Sequence, residues 1–97
     1  MALNRKLSPI VRGRQIAKCE AAPGQLSLSF TDGSRLLVRL ASAAPPLPGS
    51  GEVEKVLETG AQFILVLAGG TQIELALADP GSSVSLRDKN GAVEYLG

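Results

Sequence analysis

The residues best suited to chemistry in this chain are cations. Arg5, Lys6, Arg12, Arg14 and Lys18 fall within the first 18 positions with no acidic residue among them, a local charge of +5. The whole chain carries 10 Lys and Arg against 9 Asp and Glu, a formal +1, so 5 bases and 9 acids remain downstream, a local −4. Such a stretch can neutralise the phosphates of nucleic acid or an anionic surface, with affinity that falls as salt rises. It can equally be a solvated leader whose charges answer acids of the same chain, such as Glu52, Glu54 and Glu58. The solvated leader is the favoured expectation. Nucleic-acid modules stack bases on aromatic side chains, and here only Phe30, Phe63 and Tyr95 exist.

A second group of cations lies two strand steps apart. Arg35 and Arg39 are expected on the outer face of a strand, within reach of Ser27 and Ser29 across a hairpin, where a phosphate or carboxylate could sit. Most other chemistry is excluded by residue type. Without histidine there is no imidazole base and no Ser-His or Cys-His nucleophile pair, and Cys19 alone forms no intramolecular disulfide. Asp88-Lys89-Asn90-Gly91 has part of a calcium-loop spacing but lacks the later acidic ligand. Cys19 reads as a small buried apolar residue. No cofactor, metal or catalytic residue is expected, and the chain is expected not to be an enzyme.

The elements that position these residues follow from a gapless internal similarity. At an offset of 37, residues 16–41 pair with 53–78, with identities at Lys18, Gln25, Leu28, Gly33, Leu40 and Ala41. In the first half, Leu26, Leu28 and Phe30 alternate with Gln25, Ser27, Ser29 and Thr31, and after Asp32-Gly33 the series Leu36, Val38, Leu40 continues. That is the period of a pleated strand, and each half predicts a hairpin, the first with a positive-φ turn pair. The second half repeats it with Phe63, Leu65, Leu67 facing Ile73, Leu75, Leu77 around Gly69-Gly70. A third hairpin, Val84–Arg87 with Ala92–Leu96, is predicted about Asn90-Gly91 as a type I′ turn. Residues 10–20 and 52–58 are expected as strands, 52–58 with a short helix as the alternative.

These elements predict an all-β fold. Two antiparallel meanders and a C-terminal hairpin supply seven or eight short strands, with little or no helix, as a small sandwich or a partly open barrel. A single domain is expected over 1–97: a basic leader at 1–14, the repeats at 16–41 and 53–78, a Pro/Gly linker at 42–51 and the last hairpin at 84–96. One strand departs from alternation. Ile64 and Val66 stand where the first half has Ser27 and Ser29, so something should cover them, either the same chain or a second copy in a homodimer. No apolar block near Met1 suggests a signal or membrane anchor, and a cytoplasmic, bacterial-type protein that does not insert in membranes is expected. The expected function is a non-enzymatic binding or protein-interaction module whose partner is unknown, with self-association through an open strand edge. The alternative is a nucleic-acid or phosphoanion binder using the basic arm.

Overall fold

The structure is a computed structural model that describes residues 2–97. Nine strands and one four-residue helix follow in the order β1 (Ala2–Leu3), α1 (Ser8–Val11), β2 (Gln15–Ala22), β3 (Gln25–Phe30), β4 (Arg35–Arg39), β5 (Gly51–Thr59), β6 (Gln62–Leu67), β7 (Gln72–Ala76), β8 (Val84–Arg87) and β9 (Val93–Leu96). All pairings are antiparallel, and they join in one sheet in the order β7-β6-β5-β2-β3-β4-β8-β9, with β1 added beside β5. A sandwich would need two sheets. The sheet instead curls on itself without closing, and its β7 edge meets the end of β4 through a single bridge between Leu40 and Leu77. No described helix is long and apolar enough to cross a membrane.

The two meanders share several features at a spacing of 37. β3 and β6 have equivalent bounds, as do β4 and β7. Their first strands break register at equivalent points, Ile16/Lys18 and Val53/Lys55. Loop bonds match as well: Thr31 N–H donates to Gln15 O and Ala68 N–H to Glu52 O, both at 2.8 Å. The alternating apolar residues named above point inward and form one core, with Leu26, Leu36, Val38, Val53, Val56, Phe63 and Leu65 fully buried.

Two expectations need correction. The described part of the leader, residues 2–14, is not a solvated arm, because Leu7 and Val11 are fully buried in the core and Ser8 is 6% exposed. Their burial has a backbone reason. β2 accompanies β5 only at Gln15 and Ile16, which leaves the rest of one β5 edge without a strand. The N-terminal segment fills it: Gly13 N–H donates to Val53 O, Asn4 N–H to Val56 O, and β1 pairs with Glu58 and Leu57. The Ser8 hydroxyl stands in for a strand residue, donating to Val56 O at 3.1 Å and accepting from Val56 N–H at 2.9 Å. A two-residue β1 and a single-turn helix had no periodic signal to reveal them, so the strand number was expected too low.

The turns are the second correction. No non-glycine residue has positive φ among the described residues, so neither Asp32 nor Asn90 takes part in a two-residue turn with both central residues left-handed. Gly33 N–H donates to Phe30 O while Phe30 N–H donates to Ser34 O, and Gly91 N–H donates to Asp88 O while Asp88 N–H donates to Ala92 O. Both are three-residue loops whose last residue is a glycine at φ +88 and +85. The connection from β4 to β5 packs on the sheet: Ala44 and Leu47 lie against the core, and Pro48 O accepts from the Cys19 thiol. Residues 52–58 are strand, within β5.

Candidate functional site

Of the cations expected to act together, the fold separates most. Arg14 is the first to leave. It donates through Nη1 and Nη2 to the two Glu94 carboxylate oxygens at 2.8 Å each, and its Nε lies 3.7 Å from Asp32. Both side chains of the bidentate pair are largely covered, at 17% and 26% exposure. The hydrogen bond to Glu94 raises the Arg14 pKa further. Asp32 is held below the usual carboxylate range, first by the Ser34 hydroxyl, then by the Ser34 N–H, with Arg14 adding to it. Arg14 therefore ties the segment that enters β2 to β9.

Lys18 is also engaged. Its ammonium is 2.8 Å from Glu20 on the exposed face of β2, and that contact lowers the Glu20 pKa. Arg39 donates to Ser82 O at 3.1 Å and lies 4.0 Å from Asp79. In the register, Arg35 faces Ser29, Leu37 faces Ser27 and Arg39 faces Gln25, so Arg35, Arg39, Ser27 and Ser29 share one face of the β3–β4 hairpin with Leu37 between the two arginines. Lys6 is exposed on the turn that enters α1.

Arg5 and Arg12 remain, and the structure adds a third cation that sequence reasoning missed. The Asn4 side-chain oxygen accepts from Lys6 N–H at 3.2 Å and Leu7 N–H at 2.9 Å, a local turn that starts the helix. Pro9 suits the first helical turn, where its missing N–H costs nothing. Arg5 and Arg12 flank this helix, while Leu7 and Val11 anchor it in the core. Opposite lies β5, whose break of register between Val53 and Lys55 re-aims the side chains there. The result is a cleft of about 430 Å³, lined by Leu3, Arg5, Pro9, Arg12, Glu54 and Lys55, with Ser8 below. Three cations face one carboxylate over a floor that is partly apolar. Among the described residues none of the three cations has a salt-bridge partner. Lys55 could not be assigned from sequence because Glu54 and Glu58 beside it read as a mixed charged face.

Two further residues were also missed. Arg87 on β8 is the direct cross-strand partner of Arg35 on β4, and Arg35 in turn faces Ser29 and Ser29 faces Lys18. Directly opposed like charges destabilise a sheet. Lys89 follows in the turn after β8.

Ile64 and Val66 are not an exposed interface. They are 5% and 4% exposed within the single chain, so their hydrocarbon is already withdrawn from water without a second copy. The exposed large apolar residues are Leu3, Val93 and Leu96, the last two on the terminal strand β9. Cys19 is half-buried, and burial pushes its thiol pKa up, opposite to what a reactive thiolate needs. The described residues hold no group of three or more acidic or cysteine side chains placed to take a metal ion. No family model, curated protein or solved structure matches the chain.

Proposed function

We propose that the chain is a non-enzymatic interaction module whose partner presents an acidic segment to the cleft between α1 and β5. The observation that carries this reading is the set of three cations, Arg5, Arg12 and Lys55, around one carboxylate, Glu54, with Leu3 and Pro9 supplying apolar floor. A protein segment with carboxylates beside an apolar residue matches both features. Nucleic acid matches less well, because Phe30 and Phe63 are buried and the hydroxyl of half-buried Tyr95 is occupied by Asn4, which leaves no platform for stacking a base. The residue types support a binding rather than a catalytic role, since the sequence has no histidine and a single cysteine whose thiol is held protonated.

The test is fluorescence anisotropy of a labelled peptide of alternating glutamate and leucine, at low and at high salt. Binding weakens with salt, and an Arg5→Ser/Arg12→Ser double variant with an unchanged circular dichroism spectrum binds at least about tenfold more weakly. Equal binding of a peptide with glutamine for glutamate, or no effect of the double variant, removes the reading. Self-association is a second reading with its own observation: β9 ends the sheet and exposes Val93 at 47% and Leu96 at 66%. Light scattering after size exclusion decides it. A dimer that becomes a monomer in Leu96→Lys supports pairing through β9, and a monomer at every concentration excludes it.

A further inference from the structure

We propose that the exposed face of β4 and β8 carries a second anion site, separate from the cleft, built to take a phosphate group between Arg35 and Arg87. The two arginines are direct partners in the β4–β8 pairing. A sheet gains nothing from opposing like charges, unless an anion between them is part of the working state. Neither guanidinium has a carboxylate within salt-bridge distance among the described residues. Arg87 uses Nη1 to donate to Gly91 O at 3.0 Å, which ties it to the turn that follows β8 and leaves its other donors free for a ligand.

Lys89 completes the site through a contact between two turns. A Cβ added to Gly33, in the β3–β4 turn, would lie 2.8 Å from the Lys89 Cβ, so the β8–β9 turn is seated directly on its neighbour. Lys89 is thereby held at the end of the Arg35–Arg87 row, and the hollow between them is about 260 Å³, lined by Gly33, Arg35, Leu37, Arg87, Asp88 and Lys89. The one carboxylate there, Asp88, is turned to its own loop: Oδ1 accepts from Asn90 N–H at 2.8 Å and Ala92 N–H at 2.9 Å. Two opposed guanidinium forks and an ammonium need an acceptor with oxygens on several sides. The tetrahedral phosphate group has them, whereas the two coplanar oxygens of a carboxylate engage one fork.

Thermal unfolding of the full chain at constant ionic strength, titrated with orthophosphate in one arm and O-phosphoserine in the other, tests the site. At saturation Tm rises by about 4 °C or more in the wild type and equally in Arg5→Ser/Arg12→Ser. The rise is lost in Arg87→Gln and in Arg35→Gln, and without phosphate both variants are at least as stable as wild type because the like-charge contact is gone. Arg35→Gln keeps the Arg87–Gly91 bond and so reports on the ligand even if Arg87→Gln disturbs the turn. A rise in both arms identifies a phosphate group, ester or free, as the ligand, and a rise with orthophosphate alone identifies the free ion. The proposal is overturned if neither ligand raises Tm, if the rise survives in both glutamine variants, or if both lose stability without phosphate. It also fails if the rise disappears in Arg5→Ser/Arg12→Ser, a result that would place phosphate in the cleft instead.

Discussion

Removing the Arg14 guanidinium should loosen the join between the N-terminal segment and the last hairpin. Arg14 holds both oxygens of Glu94 at 2.8 Å and stands 3.7 Å from Asp32, and the Arg14 and Glu94 side chains are only 17% and 26% exposed. An exposed ion pair contributes about 0.2–1 kcal/mol, and a hydrogen bond to a charged group about 1.5–3 kcal/mol. A bidentate, mostly covered pair should fall between them, at a coupling of about 1.5 kcal/mol. Arg14→Ala also strips Asp32 of a partner and leaves Glu94 covered and unpaired, so it should cost about 2.5 kcal/mol. Glu94→Ala leaves Arg14 beside Asp32 and should cost about 1.5 kcal/mol. The double variant should then be about as unstable as Arg14→Ala alone. Urea unfolding followed by circular dichroism measures all four proteins, with an unchanged m value as the condition for comparing them. Hydrogen exchange at Val84 and Gly97, whose amides close the β8–β9 ladder at 2.8 Å, should quicken in the variants. A coupling below about 0.3 kcal/mol, or a larger loss from Glu94→Ala than from Arg14→Ala, would refute the tie.

Ser8→Ala should cost about 1–3 kcal/mol, because the buried Val56 N–H loses its only acceptor while Val56 O keeps the Asn4 N–H; urea midpoints read the loss, and Ser8→Thr should recover part of it. Asp32 should shape stability in acid. Its carboxyl is depressed in the folded chain, so the folded state binds fewer protons than the unfolded one, and the contribution is complete above about pH 5 and lost as pH falls below about 4. The stability difference between wild type and Asp32→Asn should therefore shrink on acidification through that range. A difference that stays constant from neutral pH to about pH 2.5 would show that the Ser34 bonds do not favour the charged form.

The candidate sites were legible to very different degrees. Arg5 and Arg12 could be nominated from sequence because the run from Arg5 to Lys18 lacks acids, but charge density says nothing about partners brought in by folding. Arg14 and Lys18 belong to the same run and are neutralised by Glu94, Asp32 and Glu20, of which Glu94 is 80 residues away in the chain. Lys55 and Arg87 entered the sites through a break of strand register and a β4–β8 pairing, neither of which leaves a trace in composition or spacing. Ile64 and Val66 show the converse. Their apolar character was plain, and their cover within the chain could not be read from it.

What the sequence by itself determined is local: apolar residues at every second position, Leu26, Leu28 and Phe30 and again Phe63, Leu65 and Leu67, with glycines between, commit each stretch to a strand and to a hairpin. The reason is that side chains on a pleated strand alternate faces whatever lies beyond it. The tertiary structure alone decided which strands became neighbours across the long connections, how the edge of β5 was filled by Ser8 and Asn4, and which cations kept their charge free. Those outcomes depend on backbone groups finding partners and charges meeting over distances that the residue pattern does not encode.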